Sequence, residues 1–117
     1  MINGLNMIIA MIAVLPSGAP SATVQCQFSE KVQCDRGTPC KALKPSVSVK
    51  INFAAKQYSR CDKAGCDNYN AVISQSGAYK IIEIPGRAMF AKIGPNGIST
   101  EVVSIMNSVL VSQGVCK

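Results

Sequence analysis

Six cysteines constrain the fold of this 117-residue chain more than any other feature of its sequence. A chain of this size buries too little surface for its core alone to stabilise it well, and disulfides formed in an oxidising compartment supply the missing stability. Spacing alone does not choose among the many pairings. It favours Cys34 with Cys40 and Cys61 with Cys66, because turn-forming residues lie between the members of each pair. Cys26 would then pair with Cys116, joining the start of the cysteine-containing region to its end.

Zinc is the other common reason for clustered cysteines. Structural zinc sites favour closely spaced cysteines, often with histidine, and this chain contains no histidine. Only the pair at 61 and 66 comes near the required spacing. We therefore expect disulfides and no metal site.

The first 22 residues carry no charged side chain, and residues 7–15 form an unbroken apolar run. A membrane-spanning helix needs about 20 apolar residues, whereas a run of this length followed by small residues such as Ala19 and Ser21 is typical of a cleaved signal peptide. We expect residues 1–22 to be a signal peptide and 23–117 to be a single exported domain, periplasmic or secreted, with no transmembrane segment. No basic residue precedes the apolar run, which departs from the usual pattern, and an amphipathic or buried N-terminal helix is the alternative.

Alternation of apolar and polar residues over 46–53 (SVSVKINF) predicts a strand with one buried face. Residues 24–28, 56–61 and 69–74 are weaker strand candidates, while 29–45 is predicted as a loop and 61–70 as a turn region. Further strands are predicted at 78–84 and 87–93, the latter with one face formed by Met89, Ala91 and Ile93. Pro95 and Asn96 predict a type II turn over 94–97 that closes a hairpin.

Residues 99–111 (STEVVSIMNSVLV) fit two structures. Ser99 could cap a helix with Glu101 in its first turn, but valine, isoleucine, serine and asparagine are poor helix formers. We favour one or two strands, which makes the chain all-β, a small antiparallel barrel or sandwich cross-linked by disulfides. The alternative is an α+β fold with a C-terminal helix over 99–112.

Several local patterns resemble those of small exported cysteine-containing proteins of alphaproteobacteria. The patterns are the early cysteines at 26, 34 and 40, a turn containing Gly77 before a hairpin, the run Thr100, Glu101 and Val102, and the ending SQGVC at 112–116. The resemblance implies a small β-barrel and implies no activity.

The chain is poor in groups that perform catalysis. Without histidine, the commonest general base and the Ser-His and Cys-His pairs are lacking, and cysteines held in disulfides provide no nucleophile. Oxygen ligands cluster at Asp62, Asp67, Asn68 and Asn70, but their spacing matches no EF-hand loop and these residues are ordinary turn formers. We therefore expect no enzyme, no catalytic residue and no cofactor.

A net charge of +6, from 12 basic and 6 acidic residues, suggests attraction to anionic partners. Nucleic acid is not expected, because export removes the usual target and few aromatic residues are present to stack on bases. The alternative is that the charges are spread over a solvated surface. The densest basic segment, and hence the candidate anion-binding face, comprises Lys41, Lys44, Lys50, Lys56, Arg60 and Lys63.

Three hypotheses for function follow. The first is an exported non-enzymatic binding protein that engages an anionic or protein partner at the cell envelope, a class that includes hydrolase inhibitors. The second is a lipocalin-like carrier whose barrel encloses a small apolar ligand, with small side chains such as Ala88, Ala91 and Val109 leaving room inside. The third is a structural protein of the envelope.

Overall fold

The computed structural model describes residues 23–117, and the predicted signal peptide at 1–22 lies outside them. Ten β-strands account for most of this region, and no helix occurs between Thr23 and Lys117. In chain order the strands are β1 Thr23–Asp35, β2 Lys41–Leu43, β3 Ser48–Asn52, β4 Gln57–Asp62, β5 Gly65–Asn70, β6 Val72–Ser76, β7 Tyr79–Ile84, β8 Met89–Ile93, β9 Ile98–Ile105 and β10 Ser108–Cys116.

All strand pairs are antiparallel and belong to one sheet. Its order is β5-β4-β3-β1-β10-β9-β8-β7-β6, with β2 paired to β1 beside this path. The sheet coils into a nearly closed barrel, which confirms the all-β prediction. No helix in the described part of the chain has the length and apolar character needed to cross a membrane.

Strand β1 lies at the centre of the sheet and connects its two halves. Its first part, from Thr23 to Gln27, pairs with β3, its later part pairs with β2, and nearly its whole length pairs with β10 on the other side. A β-bulge between Phe28 and Glu30 shifts the register against β10. Gly114 lies opposite this bulge, where a Cβ atom would collide with the carbonyl oxygen of Gln27. Glycine is therefore required for the two backbones to approach here.

Three disulfides cross-link the strands in the favoured pairing. Cys26 is bonded to Cys116, Cys34 to Cys40 and Cys61 to Cys66, and the described residues contain no free cysteine. The first joins β1 to β10, and the last joins β4 to β5. Disulfides persist in oxidising compartments and are reduced in the cytoplasm. The protein therefore belongs in an oxidising compartment outside the cytoplasm.

The strands with clear alternation were predicted well. Val49 and Ile51 are buried on one face of β3, and Met89, Ala91 and Ile93 are buried on one face of β8. Strands β4 and β7 also lie close to their predicted positions. These segments have one apolar face and flanking turn residues, so the sequence pattern and the burial agree.

Two predicted irregular regions are in fact strands. The predicted loop over 29–45 contains the second half of β1, which continues to Asp35, and the short strand β2. The predicted turn region over 61–70 contains β5, whose sequence GCDNYN has almost no apolar residues. Neither segment contains a buried residue, so backbone pairing to a neighbouring strand, rather than a buried face, fixes their conformation.

The hairpin over 94–97 forms, but its turn is not type II. A type II turn would place Asn96 at positive φ, whereas Gly97 is the residue with positive φ, at 78°. The Gly97 amide donates to the Gly94 carbonyl at 3.0 Å, and the Gly94 amide donates to the Ile98 carbonyl at 2.8 Å. Glycine in this last position is typical of three-residue hairpin loops that end in a bulge.

Residues 99–112 form parts of β9 and β10, so the alternative of a C-terminal helix is wrong. The sequence was ambiguous because two of the inward-facing residues of β9 are polar. Polar Ser99 and Glu101 face the interior, while apolar Ile98 and Val102 lie on the outer face. This register places a carboxylate inside the barrel.

The interior is filled by side chains from both halves of the sheet. Tyr58 and Ile51 come from one half, Ile82 and Ala91 from the other, and all four are buried. Contacts between the halves also occur near the barrel ends, where Lys80 Nζ lies 5.4 Å from the centre of the Phe53 ring and Arg87 lies 5.3 Å from that of Tyr69. The coiled sheet therefore encloses one continuous core.

The Cys26–Cys116 bond is expected to contribute most to stability among the three disulfides. Its cysteines are 90 residues apart, so replacing both with serine should lower the free energy of unfolding by about 4 to 5 kcal/mol in the chain-entropy model. Replacing Cys34 and Cys40, which are 6 residues apart, should cost about 2 kcal/mol. Urea unfolding of the two oxidised double variants, followed by circular dichroism, measures both losses. Equal losses would contradict this ranking.

Candidate functional site

A buried ion pair crosses the interior of the barrel. Glu101 of β9 is only 1% exposed and accepts hydrogen bonds from Arg60 Nε at 2.9 Å and from a terminal guanidinium nitrogen of Arg60 at 3.1 Å. Tyr58, two residues before Arg60 on the same face of β4, donates its hydroxyl proton to Glu101 at 2.7 Å. Strands β4 and β9 are separated by three strands in the sheet order, so these bonds fasten the two halves of the barrel together.

The surroundings of this ion pair shift the pKa values of two of its members. Burial, then the negative charge and hydrogen bonding of Glu101, raise the pKa of Tyr58 far above its ordinary value of 10.0. Burial on its own would lower the pKa of Arg60, but the hydrogen bonds and charge of Glu101 more than offset it, so the pKa of Arg60 is raised. Arg60 therefore remains charged and Tyr58 remains neutral beside the carboxylate. Such an arrangement fixes a structure rather than moving protons.

An open cleft lies on the surface between the chain segment 44–48 and the β4–β5 turn. One part, of about 350 Å³, is lined by Gln27, Phe28 and the backbone segments around Ser46 and Asp62. An adjoining part of about 510 Å³ shares Pro45, Ser46, Asp62 and Lys63 and adds Lys44 and Ala64. We call the two parts together the Lys44–Lys63 cleft.

One wall of the Lys44–Lys63 cleft, the β4–β5 hairpin, is held in place by a disulfide and a hydrogen bond. The Cys61–Cys66 disulfide closes the base of the β4–β5 hairpin, and the carboxylate of Asp62 accepts a hydrogen bond from the Ala64 amide at 2.8 Å. Asp62 is the one acidic residue among those that line the cleft, and this turn occupies one of its oxygens. Lys44 and Lys63 are both exposed, so their ammonium groups are available to a bound anion.

The structure brings together only some of the six predicted basic residues. Lys44 and Lys63 line the cleft, whereas Lys50 lies on the outer face of β3 between buried Val49 and Ile51. Lys56 lies in the β3–β4 turn with positive φ, and Lys41 begins β2 opposite Gln33. Arg60 points inward to Glu101 and is paired there.

Two of the three small residues expected to line a ligand cavity do not do so. Ala91 faces the interior, but Ala88 is exposed in the β7–β8 turn and Val109 is 38% exposed on the outer face of β10. Between Thr23 and Lys117, no group of three or more histidine, cysteine, aspartate or glutamate side chains is arranged to hold a metal ion.

Sequence reasoning missed the ion pair inside the barrel. Glu101 was read as a residue near a helix start or on a strand, and Arg60 as part of a surface charge run. No local signal identified the ion pair, because Glu101 follows the polar residues Ser99 and Thr100, and only the register of β9 against its neighbours shows that Glu101 faces inward. Its partner lies 41 residues away and is brought near only when the barrel closes.

Comparison with known proteins adds no assignment: no protein-family model, no curated protein and no solved structure matches this chain.

Removing one member of the buried ion pair should be costly. In Arg60→Met, Glu101 loses its ionic partner, and we expect the free energy of unfolding to fall by about 3 kcal/mol, the low end for a buried pair because the Arg60 side chain is 24% exposed. Adding Glu101→Met removes the unpaired charge, so the double variant should be more stable than Arg60→Met alone. Urea unfolding measures both. A double variant that loses the sum of the two single losses would contradict the pairing.

The raised pKa of Tyr58 predicts a loss of stability at alkaline pH. Its contribution is fully present below the ordinary tyrosine pKa of 10.0, and it is lost as pH rises above that value, because the unfolded state then releases a proton that the folded state keeps. Urea unfolding between neutral pH and pH about 11 should show this loss, and Tyr58→Phe should reduce its slope. The same slope in Tyr58→Phe would mean that another group is responsible.

Proposed function

We propose that this protein is an exported, non-enzymatic binding protein, periplasmic or secreted, that engages an anionic partner through the Lys44–Lys63 cleft. The observation that carries the proposal is the convergence of Lys44 and Lys63, from two separate segments, on one cleft with a single acidic residue in its lining. Two cations held in one concave site attract a polyanion more strongly than the same charges spread over a convex surface.

Polar groups in the cleft suit the binding of an oxyanion. Ser46, Ser48 and Gln27 line the cleft, and residues of these types can donate hydrogen bonds to an anion beside the two ammonium groups. Phe28 is an apolar residue in the same lining. This combination favours a partner that presents carboxylate, sulfate or phosphate groups on a carbon framework, such as an acidic polysaccharide or an acidic protein surface.

The packing of the interior supports a surface-binding protein over a lipocalin-like carrier. Tyr58, Ile51, Ile82 and Glu101 are each at most 1% exposed and occupy the space that an enclosed ligand would need. The ion pair of Arg60 and Glu101 also makes this interior unfavourable for an apolar ligand. A barrel that carries such a ligand leaves a cavity of several hundred Å³ for it.

The test is retention on a soluble sulfated polysaccharide, measured as affinity at several salt concentrations. Lys44→Glu with Lys63→Glu should weaken binding at least about tenfold at about 0.1 M salt and flatten the salt dependence. Lys50→Glu with Lys56→Glu is the matched control, because it also reverses two charges in the same basic segment, but outside the cleft. It should lower affinity by no more than about twofold, the effect of net charge alone.

Equal losses in the cleft and control variants would show that only net charge matters and would contradict the proposal. Retention that does not change with salt concentration would also contradict the proposal. Failure of the unaltered protein to bind any acidic polymer or protein surface would favour a structural role in the envelope.

A further inference from the structure

Strands β5 and β6 are two halves of one extended run of chain that changes partner at Ala71. The first half pairs with β4 and the second half pairs with β7. Because β5 and β6 are the two end strands of the sheet order, neither half has a second neighbour in the described region. Each half of the run therefore has one free edge.

The direction of the peptide groups shows which residues face the free edge of β6. Successive residues of an antiparallel strand point their N–H and C=O groups to opposite sides, and the residue pair beside a two-residue turn is hydrogen-bonded. Ser76 and Tyr79 are this pair in the β6–β7 hairpin, so Ser76 and every second residue before it face β7. The peptide groups of Ile73 and Gln75 therefore point away from β7, toward the free edge.

A hydrogen bond at Ala71 agrees with this direction. The Ala71 amide donates to the Lys56 carbonyl at 2.9 Å, and Lys56 lies in the turn that leads into β4. Ala71, Ile73 and Gln75 are alternate residues of one run, so their peptide groups point to the same side. The free edge of β6 thus continues the edge that β4 covers along β5. Past Ala71, no other backbone group between Thr23 and Lys117 bonds to it.

The sequence of β6 (VISQS) suits the addition of another strand. It has no charge and no proline, and Val72 is 52% exposed. In β5, by contrast, Asp67 puts a charge on the strand. A row of free amide and carbonyl groups is satisfied by an extended polypeptide, which pairs with it along its backbone. The edge itself therefore specifies the conformation of its occupant.

We propose that the free edge of β6 binds an extended segment of an acidic partner protein as an added strand, paired through the backbones of Ile73 and Gln75. The net charge of +6 attracts an acidic segment and repels a second copy of the chain. Lys80 lies at this strand, with its Nζ 3.3 Å from Gln75 Oε1, and Glu83 lies opposite Val72 at the other end. The edge is separate from the Lys44–Lys63 cleft, whose lining includes no residue of β6 or β7.

A labelled peptide in which valine and glutamate alternate is the probe, because valine favours strands and glutamate supplies the negative charge. Fluorescence anisotropy measures its affinity for the oxidised protein. The same peptide with every backbone amide methylated keeps its side chains but cannot donate hydrogen bonds to the edge. Methylation should weaken binding at least about tenfold. Replacing glutamate with lysine should also weaken it at least about tenfold.

Substitution at Gln75 tests the edge from the side of the protein. Proline removes the amide that faces the free edge, and it is tolerated on edge strands where that amide faces solvent. Gln75→Thr is the matched control, because both variants lose the side-chain bonds to Gly77 and Lys80 and only proline loses the amide. Gln75→Pro should weaken peptide binding at least about tenfold, and Gln75→Thr by no more than about twofold. Circular dichroism should show both variants folded.

Hydrogen exchange identifies the amides that the peptide covers, without any substitution. The amides of Ile73 and Gln75 have no ladder partner in the free protein, so they should exchange at least about tenfold more slowly when the valine–glutamate peptide is bound. The Asn68 amide is the control, because Asn68 faces the free edge of β5 by the same alternation. Its exchange should not change.

Some outcomes would overturn the proposal. Slower exchange at Asn68 alone would move the docking edge to β5, and no slowing at any of the three amides would leave β6 without a bound strand. Loss of peptide binding in Lys44→Glu with Lys63→Glu, but not in Gln75→Pro, would assign the peptide to the cleft. Dimerisation that Gln75→Pro abolishes would assign the edge to a second copy. Slowed exchange at Ile73 in the cleft variant would support the edge, whatever the fate of the cleft proposal.

Discussion

The antiparallel pairing of β1 with β10 is the constraint on which the rest of the barrel depends. Strand β1 lies at the centre of the sheet, and its partner along nearly its whole length is the last strand of the chain, to which the Cys26–Cys116 disulfide joins it across 90 residues of sequence. Every other strand is attached to one side or the other of this central pair. Closing so long a loop costs conformational entropy, and the disulfide reduces that cost by restricting the unfolded chain. In a reducing compartment the disulfide would be broken and this restriction of the unfolded chain would be lost. The stability of the fold therefore depends on an oxidising compartment.

The sequence predicted those parts of the fold that have one buried apolar face. Strands β3 and β8 alternate clearly, and the favoured disulfide pairing followed from the turn-rich segments between neighbouring cysteines. The second half of β1 and all of β5 were missed because they are mostly polar and have no buried residue, and only pairing to a neighbour makes them strands. The region 99–112 was ambiguous for the opposite reason, since Ser99, Glu101 and Ser112 are polar residues inside the barrel. No local pattern identifies a buried carboxylate whose partner is on a distant strand.

For the candidate sites too, some features could be predicted from the sequence and others only from the fold. The excess of lysine and arginine was visible in the composition, but their positions were not. Arg60 is bonded to Glu101 inside the barrel, Lys50 lies on the outside of β3, and Lys44 and Lys63 meet at a cleft only because β2, β3 and the β4–β5 hairpin converge there. The outward-facing apolar residues of β9 and β10 were not predicted either. Val102 and Val111 look like core residues in sequence, and only the register of β9 against β10 shows that they face outward while Glu101 and Ser112 face inward.

The barrel is not fully closed, because β5 and β6 are the two ends of the sheet and are joined by Ala71 alone. Each has a neighbouring strand on one side only, so its other edge carries peptide groups without a ladder partner. β6 contains no charged or proline residue to prevent another extended chain from pairing there, and such an edge is an aggregation hazard. The net charge of +6 acts against this, since two copies approaching edge to edge repel each other. The basic excess thus has a second physical consequence, which is colloidal stability in a crowded extracytoplasmic space.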